Sequence, residues 1–182
     1  MDVDVLDALE EILQFKTIDK NIYISQLYEE KRHIGFVLDG IIRVYHLNED
    51  GIEYNKNFFV KNDLFMTSLD ESADSSVFVQ TIAKSHVILF EYQSYMKLAE
   101  KYEVLETVLN KILMEYMKQK QKREIELLSL DAKERYAMFV KNDPKLSKIL
   151  PQFHIASYLG ITPTQLSRIR KIYPPSTYVN DM

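Results

Sequence analysis

The sequence predicts an α+β chain: a series of short antiparallel strands, then one long helix, then a cluster of short helices. Three observations predict it. Between Asn21 and Phe90, short apolar runs recur at close, regular spacing with turn residues between them, the pattern of an antiparallel sandwich or barrel. From Gln93 the apolar spacing changes to three and four, and one unbroken stretch runs from about Glu103 to Leu128. Beyond it, Asp131, Asp143-Pro144 and Pro151 punctuate the chain at helix-start intervals.

Residues 3–15 place Leu6, Leu9, Ile12 and Leu13 at helical spacing and predict a short amphipathic helix. Asn21-Ile-Tyr-Ile24 is strand-like. Ile34–Leu38 and Ile41–Leu47 predict a β-hairpin across Asp39-Gly40, because Asp-Gly supplies the positive φ of a tight turn. A second hairpin follows, with Asn48–Gly51 as its loop and Ile52–Val60 as its return strand. Val77–Ile82 and His86–Phe90 add two more strands. The polar, acidic stretch Phe65–Ser76 is expected as a loop, either carrying ligand contacts or simply solvated.

A short helix over Gln93–Lys101 precedes the long one. There Leu105, Val108, Ile112 and Tyr116 form one stripe, broadened by Leu109 and Leu113. The stripe can cover the chain's own sheets or a second copy. A helix of ~25 residues outruns a small barrel, which favours self-association through these four residues. Met117–Glu124 is nearly all polar and suits a connector between domains. The expected divisions are therefore 1–100, 101–128 and 129–182.

In the last division Asp131 caps a helix, with Glu134 three residues on. Asp143-Pro144 offers another start, an acceptor followed by Pro at the first helical position. Pro151–Lys171 carries the strongest pattern in the chain. A first helix holds Ile155, Ala156 and Leu159, and small Ala156 lets a second helix cross closely. Gly160 tolerates the left-handed conformation that ends a helix. Ile161 fills the corner. Thr162 caps the second helix, Pro163 takes its first position and Gln165 completes a Thr-x-x-Gln box. Leu166 and Ile169 turn inward, leaving Thr164, Gln165, Arg168 and Lys171 outward with Ser167 at the edge. Arg can donate two bonds to guanine, Gln can pair with adenine, and hydroxyls serve bases or phosphates. The helix N-terminus adds its dipole. Neither helix contains a carboxylate. A helix-turn-helix with its recognition helix at about 163–172 is expected, with Thr162, Thr164, Gln165, Ser167, Arg168 and Lys171 meeting double-stranded DNA. The competing reading is a plain helical hairpin in a packing role.

The net charge of −4 argues against a nucleic-acid binder, but its distribution does not. Residues 131–182 carry eight Lys/Arg against four Asp/Glu, and residues 1–130 carry 15 against 23. With no cysteine, disulfides, thiolate-held zinc, Cys-ligated iron–sulfur clusters and Cys nucleophiles are excluded. The acidic N-terminus lacks the order of a signal peptide, and no apolar run reaches the ~18 residues of a membrane span. A cytoplasmic protein without membrane contact is expected. The alternative is a small-molecule-binding, cupin-like protein or enzyme. Such a metal site needs converging His and carboxylate ligands. His33, His46, His86 and His154 are instead scattered singly. No nucleophile elbow supports a hydrolase. No enzyme and no metal site are expected. His154, on the first helix of the motif, is expected either to touch a phosphate or to be plainly exposed.

The run Leu159-Gly-Ile-Thr-Pro-Thr-Gln-Leu-Ser-Arg168 resembles the helix-turn-helix of the Crp/Fnr family of bacterial regulators, especially the Leu-Gly-(Ile/Leu)-Thr-x-x-x-(Ile/Leu)-Ser-Arg pattern of its Fnr branch. The order of parts before it is also similar: a jelly-roll sensor barrel, a long dimer helix, then the DNA-binding domain, with Ile34–Tyr45 similar to an early barrel hairpin. The resemblance implies a homodimer on a near-palindromic site, Ser167 and Arg168 at base-reading positions, and RNA polymerase as a further partner. Three departures stand out. Thr164 replaces a Glu common in the family. Asn62–Thr67 and Asp74–Val77 lack the Gly-Glu and Arg-Ser/Thr-Ala elements that hold a cyclic nucleotide, so cyclic AMP is not expected, and the absence of cysteine excludes the Fnr-branch cluster. Only eleven residues follow Lys171, Pro174-Pro175 among them, short for a β-wing, so whether the domain has one is left open. The effector, the operator and the direction of regulation are left open.

Overall fold

Alternation of apolar and polar residues in the first half of the chain builds sheets, and threefold and fourfold spacing in the second half builds helices. The structure is a computed structural model that describes residues 3–28, 31–67 and 76–175. Its elements are α1 (Val3–Glu10), β1 (Gln14–Ile18), α2 (Ile24–Leu27), β2 (His33–Asp39), β3 (Ile42–Leu47), β4 (Glu53–Phe59), β5 (Leu64–Met66), β6 (Val77–Thr81) and β7 (Ser85–Glu91). There follow α3 (Tyr92–Lys101), α4 (Glu103–Ser129), α5 (Ala132–Asn142), α6 (Leu146–Ile149), α7 (Gln152–Leu159) and α8 (Pro163–Ile172).

The strands form two antiparallel sheets, ordered β1-β7-β2-β5 and β4-β3-β6. Among the described residues they do not close into one barrel. Val37, Val87, Leu89 and Phe65 from one sheet and Ile42, Phe59 and Val79 from the other fill the core between them. Removing these side chains from water is the main force holding the sheets face to face.

The turn at Asp39-Gly40 is a corner between sheets, not the hairpin turn expected from the sequence. β2 pairs with β5 and β7, whereas β3 pairs with β4 and β6. Gly40 has the expected positive φ of 105°, but the chain also passes so close to Ser85 that a Cβ on Gly40 would lie 2.6 Å from the Ser85 Cα. Crossing over places Val37 on one sheet and Ile42 on the other, and both join the core between the sheets. The second hairpin is present. β3 and β4 run in register from Ile42↔Phe59 to Leu47↔Glu53 with a bulge after Val44, and Asn48 Oδ1 accepts the Ile52 N–H at 2.7 Å across the loop.

Three further expectations change. The first helix ends at Glu10, and Gln14–Ile18 is an edge strand on β7. Only Ile18 of that strand is buried and Phe15 is 72% exposed, so no alternation marked it. Tyr23 makes a single bridge to Gln80, and the strand-like Ile24 instead opens the helical turn α2. The expected loop after Phe65 begins as β5, and residues 68–75 lie outside the described residues.

A polar knot sits on the face of β3 away from this core. Arg43, 4% exposed, donates to Gln80 Oε1 at 2.8 Å, Glu53 Oε2 at 2.5 Å and Asn55 Oδ1 at 3.3 Å, and lies 3.9 Å over the Tyr45 ring.

The chain divides into two units, Met1–Leu113 and Met114–Met182, with α4 beginning in one and ending in the other. In the first, Leu105 joins Val5, Tyr95 and Ala99 in a second core, and the Tyr95 hydroxyl donates to the Leu105 carbonyl at 2.9 Å. In the second, Tyr136 and Val140 of α5 and Ile155 and Leu159 of α7 are fully buried. No helix among the described residues is long and apolar enough to cross a membrane.

Candidate nucleic-acid interface

The α7–α8 pair folds as its residue pattern dictates. α7 ends where Gly160 turns left-handed (φ 67°, ψ 35°), and the Ile161 N–H returns to the Ala156 carbonyl at 3.0 Å. α8 then starts on a capping box: Thr162 Oγ1 accepts the Gln165 N–H at 3.2 Å, and Gln165 Oε1 accepts the Thr162 N–H at 2.9 Å. Pro163 occupies the first turn. Leu166 of α8 is fully buried, as are Ile155, Ala156 and Leu159 of α7, so the two helices are propped on one another.

With Leu166 inward, Thr162, Thr164, Gln165, Ser167, Arg168 and Lys171 are all exposed. Ile161 and Ile169 are half-buried at the corner and along the inner edge. The cap occupies the Gln165 side-chain oxygen and the Thr162 hydroxyl, which also donates to Gln165 Oε1 at 3.1 Å. Thr164, Ser167, Arg168 and Lys171 remain as the outward polar set of α8. The unit that contains them, Met114–Met182, carries twelve Lys/Arg against seven Asp/Glu.

His154 is 8% exposed, its ring 4.1 Å from that of Phe153. Burial removes both roles expected for it, the exposed side chain and the phosphate contact. The other histidines do not converge. His33 Nδ1 lies 2.8 Å from the Lys31 carbonyl oxygen, His46 stacks on Tyr54, and His86 Nδ1 is 3.0 Å from Thr17 Oγ1. Among the described residues no group of three or more possible ligands could hold a metal.

On α4 the expected self-association stripe is corrected at Leu105. Leu105 is 2% exposed, spent on its own chain, so no second copy can reach it. Ile112 and Tyr116 lie half-buried on the same side, and Val108 is 39% exposed. The opposite face carries Met114, Met117, Ile125 and Leu128, 61%, 63%, 56% and 82% exposed, with Gln121 between them. Their spacing of three, four, four and three keeps all five on one face of the helix.

Sequence reasoning also missed two arginines that hold α7. Arg123 of α4 donates to the Tyr158 carbonyl and lies 4.1 Å over the Tyr158 ring. Arg135 of α5 donates from Nε to the Leu159 carbonyl at 2.9 Å. Burial pulls the Arg123 guanidinium below its usual pKa, against the opposing pull of Tyr158 and Glu126, and burial pushes the Tyr158 phenol up. A signal existed: Arg123 stands seven residues after Tyr116 and so continues the inward stripe.

No protein-family model matches the chain, and no curated protein is significantly similar to it. Solved structures are similar in fold. FixK2 from Bradyrhizobium japonicum is 21% identical over 88% of this chain and 84% of its own, with a TM-score of 0.75. A transcriptional regulator of the Crp/Fnr family from Eubacterium rectale is 13% identical over 95% and 83%, also at 0.75. A cyclic nucleotide-binding domain containing protein from Listeria monocytogenes is 14% identical over 94% and 88%, at 0.69. The chain shares the fold of Crp/Fnr regulators along nearly its whole length.

Proposed function

We propose that this chain, with the fold of the Crp/Fnr regulators, is a sequence-specific DNA-binding transcription regulator that acts as a homodimer, with α8 as the helix that enters the major groove. The observation that carries the reading is the capped helix α8, whose buried Leu166 turns Thr164, Ser167, Arg168 and Lys171 outward with no carboxylate on either helix of the pair. Arg168 is assigned to guanine, Thr164 and Ser167 to neighbouring base edges, and Lys171 to phosphate. Met114, Met117, Ile125 and Leu128 are assigned to the seam between two copies, which would set the recognition helices about 34 Å apart, in successive major grooves. The N-terminal sheets are read as a jelly-roll sensor-like module, and RNA polymerase as a partner of the DNA-bound dimer.

Selection of bound duplexes from a random pool by the full chain tests this. The expected result is an enriched inverted repeat whose half-sites are centred about 10–10.5 base pairs apart, or a multiple of that, bound with strong salt dependence. No enrichment overturns DNA recognition. An enriched motif without a repeat overturns the homodimer.

A further inference from the structure

The polar tract Lys118–Arg123 reads as a solvated connector, yet its last residue is not solvated. The Arg123 side chain is only 16% exposed. Its guanidinium covers the Tyr158 ring, donates to the Tyr158 carbonyl and faces the Glu126 carboxylate at 3.8 Å. Arg135 adds a second clamp, joining the Leu159 carbonyl to the Leu130 carbonyl at the end of α4 by bonds of 2.9 Å and 2.5 Å. The last carbonyls of a helix have no partner within it and carry the negative end of its dipole. Here two guanidinium groups take the last two of α7, those of Tyr158 and Leu159, at the corner from which α8 departs.

Residues 121 and 123 are separated by about 200° around a helix, so Gln121 and Arg123 lie on roughly opposite sides of α4. One side carries the exposed apolar face from Met114 to Leu128, and the other grips α7. Both belong to one unit. The fully buried side chains of that unit, Tyr136, Ile155, Leu159 and Leu166 among them, do not include Arg123.

We infer that Arg123 is a positioning residue for DNA recognition: it fixes the bearing of the α7–α8 pair on α4 and thereby sets the half-site spacing that a dimer accepts. This rests on the proposed dimeric regulator. A planar guanidinium stacked on a ring and bonded to a carbonyl constrains direction as well as distance, which a flexible ammonium cannot do.

The test uses the full chain, Arg123→Met and Arg123→Lys, with duplexes carrying one selected half-site or two half-sites at the selected spacing and at one or two base pairs more or fewer. Arg123→Met is expected to bind the single half-site like the parent. It should lose about tenfold on the paired site, because avidity requires both recognition helices to engage at once. Its preference among spacings should flatten, and Arg123→Lys should fall between the two. An unchanged spacing profile overturns the inference. So does a parallel loss on single and paired sites accompanied by lost helicity, since that is the result of a merely structural role. If the parent chain binds no half-site, the regulator reading has failed and takes this inference with it; if the parent binds and the variants match it, the inference alone has failed.

Discussion

Thr162 and Gln165 cap each other, each side chain accepting the other's backbone N–H, at 2.9 Å and 3.2 Å. The box spends the oxygen of Gln165 on the helix start and leaves only its amide nitrogen for DNA. Thr162→Ala should therefore destabilise the chain by about 1 kcal/mol and weaken binding to cognate and random duplexes alike. Gln165→Glu keeps an acceptor at the third helical position and should hold the thermal midpoint near that of the parent, while its added carboxylate lowers DNA affinity. Equal midpoint losses for Gln165→Glu and Gln165→Ala would show that the box does not hold this helix.

Arg168 and Lys171 separate base reading from phosphate binding. Arg168→Ala should cost about 1–3 kcal/mol on the selected site and relax preference at one base pair per half-site. Lys171→Ala should weaken all sequences alike and reduce the salt slope by about 1. Titrations at several salt concentrations on selected and scrambled duplexes check both. Equal losses on the two duplexes for Arg168→Ala would remove that residue from base readout.

What the sequence revealed and what it hid divide along local and non-local lines. The corner at Gly160, the Thr162–Gln165 box and the Asp131–Glu134 box are all set by residues within five positions of one another, and each is present where expected. The second hairpin is local too. The errors lie where the decision is made far along the chain. The Asp39-Gly40 turn is visible, but which strand pairs with which depends on a core shared with Val79 and Val87. β1 buries only Ile18 and exists because β7 lies beside it. On α4 two stripes share one helix. The more apolar one, Leu105 to Tyr116, drew attention, while the exposed one is interrupted by Gln121 and built from the less hydrophobic Met114 and Met117. From the sequence, His154 is open to a phosphate contact or plain exposure because a lone His carries no pattern, and only packing could bury it.

Gly40→Ala should destabilise the first unit by about 2–4 kcal/mol, combining the strain of a side chain at positive φ with overpacking. The reason is geometric: φ is 105°, and the nearest obstacle includes the Ser85 backbone, which cannot swing aside as a side-chain tip would. Denaturant titration of the full chain measures it. No loss, or a gain of about 0.4–1 kcal/mol as at an unstrained glycine, would mean that the corner relaxes freely.

Arg43→Ala removes the donors that face the buried Gln80 and Asn55 acceptors at once. Leaving such groups unmade costs about 1–3 kcal/mol. Glu53→Gln should cost less, because the Glu53 side chain is 37% exposed and retains water. The order of the two midpoints is the check, and a larger loss for Glu53→Gln would make the Arg43–Glu53 ion pair, not the amide acceptors, the main contributor.

The two faces of α4 predict opposite phenotypes for the same substitution. Leu105→Glu places a carboxylate in the apolar core formed with Val5, Tyr95 and Ala99. It should unfold the first unit, because an ionised group there costs several kcal/mol, on the order of its desolvation penalty. Met117→Glu and Leu128→Glu fall on side chains 63% and 82% exposed, so the single chain should keep its fold and midpoint. In a homodimer joined along Met114, Met117, Ile125 and Leu128, each substitution brings two carboxylates together across the seam. Each should raise the dimer dissociation constant at least tenfold, about 1.4 kcal/mol. Sedimentation at micromolar concentration reads the dissociation, and circular dichroism at the same concentration reads the fold. Dimers that survive Met117→Glu and Leu128→Glu together would place the contact between copies on another face of the chain.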